Sequence, residues 1–199
     1  MLHLKNITAG NPKTAEQYQM TKRYSVTWLF SEDGKNWYEE LKNFASDTIK
    51  IAYTGDGRVV WVGKDVTGIE PRNASVIEVP DITANRRITA PGYWFYRNDE
   101  FVFDYRLKAE DERDALLAQV SARTGEWEED LLLGLISDED KEKLKACRIY
   151  AKSLQAMDFS TITDKSHTTP LNGPPLRKVL PDLIYREKNN VCSDIRCAD

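Results

Sequence analysis

Apolar residues follow one spacing before residue 107 and a different one after it. In residues 24–30, Tyr24, Val26, Trp28 and Phe30 occupy every second position, which predicts a strand with an aromatic face. The strands predicted from such runs comprise residues 24–30, 48–53, 58–62, 75–79, 93–97 and 101–105. About six strands joined by short turns are typical of an antiparallel sheet.

Two of the connections predict β-hairpins. Thr54-Gly-Asp-Gly57 joins the second and third predicted strands, and its Asp-Gly step accepts positive φ at low cost. Asn98-Asp-Glu100 joins the last two in the same way. The strand at 75–79 ends at Pro80, which cannot donate a hydrogen bond to a neighbouring strand.

From residue 108 the apolar spacing changes to alternating steps of three and four. This spacing predicts a helix of about 24 residues, which ends near Gly134. The stripe on this helix consists of Leu117, Val120, Thr124, Trp127 and Leu131.

A second helix is predicted to begin after Ser137. The sequence Ser137-Asp-Glu-Asp140 has the form of an N-cap with an acid at the third position. The helix continues to about Met157, with Leu144, Cys147 and Tyr150 on one face. Two helices with a short connector predict an αα-hairpin.

These patterns together predict an α+β fold. Sixteen of the twenty aromatic residues precede residue 107, which favours a small antiparallel β-rich domain at residues 1–107. The αα-hairpin follows at residues 108–158. Residues 159–199 lose the periodicity and are rich in Ser, Thr, Pro and Asp at first, so we expect a largely disordered C-terminal tail.

The charge distribution argues against a nucleic-acid partner. Residues 1–107 carry 14 basic and 14 acidic side chains, and residues 108–145 carry 6 basic and 12 acidic ones. Neither part supplies a basic stripe for phosphates.

No apolar run approaches the ~20 residues of a membrane span, so we expect no membrane partner. The N-terminus lacks a basic segment followed by an apolar one, and we expect the protein to stay in the cytoplasm where it is made.

No cofactor is expected from the metal-binding residue types. The three cysteines, Cys147, Cys192 and Cys197, match no zinc spacing. His3 and His167 lie near the two ends of the chain with no cysteine close to them in sequence.

The segment Ser31-Glu-Asp-Gly-Lys-Asn-Trp37 approximates the Asp-box of sialidase-like propellers, but it is one residue too short and occurs once. An Asp-Gly turn with Trp37 packed beneath it is the favoured interpretation. Acidic pairs such as Glu39/Glu40 motivate a hydrolase hypothesis weakly, because adjacent carboxylates point away from each other and a glycosidase needs two across a cleft.

The aromatic and arginine residues suggest where a partner binds, since Trp, Tyr and Arg dominate interface hot spots. Arg86 and Arg87 follow a predicted strand and could anchor a carboxylate or carbonyl of a partner, or lie in a solvated loop. The candidate partner-binding residues are Trp37, Tyr38, Arg86, Arg87 and Trp127.

Short sequences in a fixed order along residues 1–160 resemble one protein family. They include His3-Leu-Lys-Asn-Ile7, Asn11-Pro-Lys-Thr14, Glu16-Gln-Tyr18, Trp28-Leu-Phe-Ser-Glu-Asp-Gly-Lys-Asn-Trp-Tyr-Glu-Glu40, Asp47-Thr-Ile-Lys-Ile51, Glu78-Val-Pro-Asp-Ile-Thr-Ala-Asn-Arg-Arg87, Gly92-Tyr-Trp-Phe95 and Leu133-Gly-Leu-Ile-Ser-Asp-Glu-Asp-Lys141. Together they resemble the tail fibre assembly proteins of contractile-tailed phages and enteric prophages.

This resemblance implies a fibre chaperone in the cytoplasm of a bacterial host. Such a protein binds the C-terminal region of a trimeric phage tail fibre subunit and assists its folding and trimerisation. Some members remain at the fibre tip. The implied task needs neither a catalytic group nor a cofactor. The alternative hypothesis is a receptor- or glycan-binding accessory module of the fibre tip.

Overall fold

In the computed structural model, which describes residues 1–162, the first strand of the chain lies inside a five-stranded antiparallel sheet. The order of the strands is β2-β1-β5-β3-β4. The strands of this sheet are β1 (His3–Gly10), β2 (Trp28–Phe30), β3 (Thr48–Thr54), β4 (Val59–Gly63) and β5 (Ala74–Pro80). A separate hairpin consists of β6 (Trp94–Arg97) and β7 (Glu100–Phe103).

The helices connect these strands and then form the C-terminal part of the described chain. They are α1 (Ala15–Tyr24), α2 (Trp37–Glu40), α3 (Thr83–Arg86), α4 (Tyr105–Leu133) and α5 (Asp138–Gln155). The antiparallel sheet and the helices that follow it confirm the predicted α+β class. Within residues 1–162, no helix has the length and apolar character of a membrane span.

Both faces of the five-stranded sheet are apolar. One face contains Leu4, Ala52 and Val76 on adjacent strands, and Trp37 packs on it. The other face contains Ile49, Ile51 and Val79, with Trp94 and Phe101 of the β6–β7 hairpin packed against it. A sheet covered on both faces needs elements on each side, and α2 and the β6–β7 hairpin supply them.

The two predicted hairpins are confirmed. In the turn after β3, the Gly57 N–H donates to the Thr54 carbonyl at 2.8 Å and Gly57 has φ of 88°. Antiparallel pairing joins β3 to β4, and β6 to β7. The last strand ends at Phe103, and α4 begins at Tyr105, so the helix starts earlier than predicted.

The predicted strand at residues 24–30 is wrong in its first half. Tyr24 ends the helix α1, which begins after Thr14, whose side chain accepts from the Gln17 N–H. Ser25 then adopts a left-handed conformation with φ of 55°, which stops the helix. Only Trp28–Phe30 is a strand, and its three residues are all buried rather than alternating.

The sequence patterns missed β1. Its buried residues Leu4 and Ile7 are three positions apart, because the register with β5 shifts between them and Asn6 has φ of 48°. A bulge of this kind breaks the period of two on which strand prediction depends.

The predicted αα-hairpin is present. Val120 of α4 and Cys147, Tyr150 and Leu154 of α5 form its core. The Ser137 hydroxyl accepts from the Asp140 N–H at 3.1 Å, as the N-cap sequence predicts, and it also donates to the Asp140 carboxylate at 2.7 Å.

The chain divides into two compact units, one comprising Met1–Asp104 and the other beginning at Tyr105. The domain boundary at residue 107 stays a prediction, because compact units are not by themselves independently folding domains.

Of the predicted tail at 159–199, only the first four residues are described. Phe159 is buried there, with the Arg113 guanidinium 5.4 Å from its ring centre. The rest of the tail lies outside the described residues.

Candidate partner-binding surfaces

The turn before α2 explains why Trp37 is buried. The Ser31 carbonyl accepts from the Gly34 N–H at 2.8 Å, and the Ser31 hydroxyl donates to the Asp33 carboxylate at 2.5 Å. Trp37 is 1% exposed and packs edge-to-face on Phe44. The interpretation as an Asp-Gly turn with Trp37 beneath it is confirmed, and in this conformation the indole offers no surface to a partner.

Tyr38, the next residue, is 40% exposed. Its hydroxyl donates to the Thr27 carbonyl at 2.9 Å, and its ring packs edge-to-face on Trp28. The Trp28 indole N–H in turn donates to the Thr21 hydroxyl of α1 at 2.8 Å. Partial burial, followed by the charge of Glu70, raises the pKa of Tyr38. Tyr38 is therefore a neutral, held side chain with an accessible ring.

Two further tyrosines on α1 are accessible. Tyr18 is 50% exposed and Tyr24 is 62% exposed. Each has a cation beside its ring, since the Lys22 ammonium lies 5.7 Å from the Tyr18 ring centre and the Arg23 guanidinium lies 5.3 Å from that of Tyr24. We call Tyr18, Tyr24 and Tyr38 the exposed tyrosines. They combine apolar area with a polar tip, which is typical of interface residues.

Arg86 lines a shallow groove of about 410 Å³ on the same unit. Its guanidinium binds the Asp81 carboxylate at 2.6 Å, and the Lys64 ammonium binds the same carboxylate at 2.7 Å. Arg86 and then Lys64 lower the pKa of Asp81 to about 2. One carboxylate thus faces two cations, and we call these three residues with Ile49 and Val62 the basic groove.

Arg87 is exposed beside Arg86. Within residues 1–162, no carboxylate pairs with Arg87, whereas Arg86 is held by Asp81. The two arginines therefore differ, and Arg87 is the one whose charge remains available to a partner.

Trp127 belongs to the second unit, whereas the other four candidate residues belong to the first. It is partly buried against the hairpin core of Val120, Cys147 and Tyr150. Burial raises the pKa of the Cys147 thiol. The structure thus brings Trp37 and Tyr38 together and Arg86 and Arg87 together, and places Trp127 in helix packing.

The sequence patterns did not identify Tyr18, Tyr24, Lys64 or Asp81 as candidate partner-binding residues. Asp81 lies five positions before Arg86, but its pairing with Lys64 joins residues 17 positions apart and leaves no local pattern. Among residues 1–162, no group of three or more His, Cys, Asp or Glu side chains is arranged to hold a metal ion.

Comparison with known proteins decides the family. Residues 39–172 match the family described as Caudovirales tail fibre assembly protein, lambda gpK. The chain belongs to this family. The resemblance inferred from the short sequence motifs is confirmed, and the role of the chain is in tail fibre assembly.

Three relatives cover most of the chain. It is 48% identical over 168 residues to the tail fiber assembly protein U' of Escherichia phage Mu. The aligned region spans 81% of this chain and 95% of that protein. It is 47% identical to the protein of the same name from Escherichia phage P1, with the same coverage. It is 41% identical over 164 residues to the tail fiber assembly protein U of phage Mu, which spans 79% of this chain and 94% of that protein.

Proposed function

We propose that the chain binds the C-terminal region of a trimeric phage tail fibre subunit, and that this binding assists the folding and trimerisation of the fibre. The binding acts without a catalytic step and without a cofactor. It takes place in the cytoplasm of the bacterial host, and the chain stays at the fibre tip in the assembled virion.

The accessible rings of the exposed tyrosines carry the binding part of this proposal. Tyr38 is held by the Thr27 carbonyl and by Trp28 and still presents 40% of its surface. A side chain that is already ordered loses little conformational entropy when a partner packs on it, so it contributes more to affinity. Arg87 next to the basic groove supplies a charge for a carboxylate of the fibre.

The physical need for such a protein lies in the fibre. Unpaired strand edges and apolar surface are exposed while a long trimer assembles, and they promote aggregation. A protein that covers such surface while the trimer assembles keeps the subunits soluble. This task requires binding energy rather than bond chemistry.

Co-expression of the full chain with its neighbouring fibre subunit tests the proposal. We expect soluble trimeric fibre, and a complex in a pull-down followed by sizing, only when both proteins are made. Fibre that trimerises equally well alone contradicts the proposal.

Variants of Tyr38 and Arg87 test the contacts. We expect Tyr38→Ala to weaken fibre binding about tenfold, as interface tyrosines do, whereas Tyr38→Phe keeps the ring and most of the affinity. Arg87→Ala is expected to weaken binding similarly, with Arg72→Ala as the matched control, since Arg72 is paired with Glu70 at 2.7 Å. If all four variants bind the fibre with the affinity of the wild type, Tyr38 and Arg87 do not belong to the interface.

The exposed tyrosines also suit a glycan- or receptor-binding module, because sugar rings stack on aromatic faces. A glycan array on the purified chain separates the two functions. Binding to a defined host glycan that Tyr38→Ala abolishes, without any fibre complex, favours the accessory module.

A further inference from the structure

The connection between α4 and α5 exposes a run of leucines. Leu131, Leu132, Leu133 and Leu135 are 46%, 87%, 71% and 71% exposed. They are held in place, because the Leu135 N–H donates to the Asp130 carbonyl at 2.8 Å and the Gly134 N–H donates to the Leu131 carbonyl at 3.2 Å. These two bonds form a Schellman cap with Gly134 at φ of 71°. A contiguous apolar patch that is exposed on a folded protein is typical of an interaction site, whereas singly scattered exposed apolar residues are not.

Two of these leucines open into a groove between the helices. The groove has a volume of about 490 Å³, and its apolar floor consists of Leu131, Leu132 and the buried Leu144. Three basic side chains of α5, namely Lys141, Lys145 and Arg148, line its rim. We call this feature the leucine groove.

The rim is basic although the surrounding segment is acidic. Glu128 is the one acidic residue lining the groove, and it pairs with Arg148 at 3.0 Å across the two helices. Lys141 and Lys145 contact carboxylates of their own helix at 3.6 Å. Exposed pairs of this kind contribute little to stability, so a partner's carboxylate can replace them.

Charge distinguishes the three possible occupants of the leucine groove. In a two-fold contact between two copies of the chain, the basic rims would face each other. Residues 176–188 of the chain's own C-terminal segment carry four basic and two acidic side chains, so their net positive charge does not match the basic rim. An apolar segment whose Asp and Glu residues give it a net negative charge matches both the floor and the rim.

We infer that the leucine groove binds an apolar, carboxylate-bearing segment of the tail fibre subunit, as a second contact besides the exposed tyrosines. This inference rests on the proposed function, since it takes the fibre as the partner. The leucines fill the apolar side of the segment, and Lys141 and Lys145 bind its carboxylates. An amphipathic segment in a groove between helices is a recurrent mode of peptide recognition.

The dissociation constant of the full chain for its fibre subunit tests the inference. Leu132→Ser removes a groove leucine that is 87% exposed, and we expect at least a tenfold weaker complex. Ile149→Ser is the matched control, because Ile149 is 62% exposed on α5 but does not line the groove, and its effect is expected to stay below twofold. A charge-reversed variant, Lys141→Glu/Lys145→Glu, is expected to bind at least tenfold more weakly and to lose the salt dependence of the wild type.

Different outcomes overturn different statements. If the wild-type chain binds the fibre and all groove variants bind it equally well, the inference is wrong while the proposed function stands. If the wild-type chain does not bind the fibre, both are wrong. A shift from dimer to monomer caused by Leu132→Ser, with fibre binding unchanged, assigns the groove to a second copy. Altered hydrogen exchange in residues 176–188, again with unchanged fibre binding, assigns it to the chain's own C-terminal segment.

Discussion

Glu78 and Lys50 are ionisable residues buried inside the N-terminal unit. They are 4% and 1% exposed and lie opposite each other on β5 and β3. The Glu78 carboxylate accepts from the Leu2 N–H at 3.0 Å, from the Ala45 N–H at 2.6 Å and from the Thr48 hydroxyl at 2.7 Å. The Lys50 ammonium donates to the Ala45 and Thr48 carbonyls. Side chains of β3 and β5 thereby tie down the N-terminus and the segment that precedes β3.

We predict that Glu78→Gln destabilises this unit by about 2 kcal/mol. In the wild type the Leu2 and Ala45 N–H groups both donate to the carboxylate, whereas in the variant the amide NH₂ would face one of these donors and leave it without an acceptor. Urea unfolding followed by tryptophan fluorescence measures the change. Glu70→Gln is the control, since the Glu70 side chain is 55% exposed and its pair with Arg72 is a surface one. Equal stability of the two variants would show that the buried hydrogen bonds of Glu78 contribute nothing.

The same residue predicts a pH dependence. Burial alone would raise the pKa of Glu78, but the hydrogen bonds from Leu2, Thr48 and Ala45 and the charge of Lys50 lower it below the ordinary value of 4.5. The carboxylate therefore stabilises the fold fully above pH 4.5, and this contribution is lost as the pH falls through the lower folded-state pKa. We expect a smaller loss of stability on acidification for Glu78→Gln than for the wild type, measured by unfolding at several pH values.

Among the elements, the β3–β4 turn shows how one residue sets the position of a second hairpin. Gly57 has positive φ, and a Cβ atom built on it would lie 2.4 Å from the Tyr96 carbonyl oxygen. The Tyr96 N–H donates to the Gly57 carbonyl at 2.7 Å, so the turn and β6 are in direct contact.

We predict that Gly57→Ala destabilises the unit by more than about 2 kcal/mol, since it combines a strained backbone with a backbone clash. Gly55→Ala in the same turn is the matched control, because nothing lies within 4 Å of its added Cβ. Thermal unfolding followed by near-UV circular dichroism compares the two. A Gly57→Ala protein as stable as Gly55→Ala contradicts the contact between the turn and β6.

The elements that the sequence predicts correctly are those with local determinants. The αα-hairpin has its caps at Ser137 and Gly134, and the β3–β4 hairpin has its Asp-Gly turn. The strand β1 and the helix α1 were missed for opposite reasons. In β1 a bulge interrupts the alternation of buried and exposed residues. At the end of α1, Tyr24 continues the alternating aromatic and apolar positions of residues 26–30, so the pattern predicts a strand where the helix ends.

At the scale of the whole molecule, the two units provide separate probes of folding. Most aromatic residues belong to the first unit, and the buried Cys147 thiol belongs to the second. We propose that residues 1–107 and the αα-hairpin fold as independent domains.

We therefore predict that Gly57→Ala lowers the midpoint of the near-UV transition and leaves the protection of Cys147 unchanged. Alkylation of Cys147 against denaturant, followed by mass spectrometry of its peptide, measures that protection. The control is a Val120→Ala variant, which is expected to expose Cys147 earlier, since Val120 packs in the same core as Cys147. Only the smaller part of the near-UV signal that comes from Trp127 and Tyr150 in that core is expected to shift with it, while the transition of the first unit's aromatic residues stays in place. A joint shift of both transitions in either variant means that the two units unfold as one.

The α+β class, the two hairpin turns, the helix caps and the family could all be predicted from the amino-acid sequence. Each of these depends on residues close together in the chain, or on motifs whose order is visible without a fold. Tertiary structure alone decided that β1 lies inside the sheet, that Trp37 is core while Tyr38 is exposed, and that Asp81 holds Arg86 but not Arg87. It also decided that the leucines beside Gly134 are left uncovered by the described helices. These outcomes depend on strand pairing and burial between distant residues, which local periodicity does not encode.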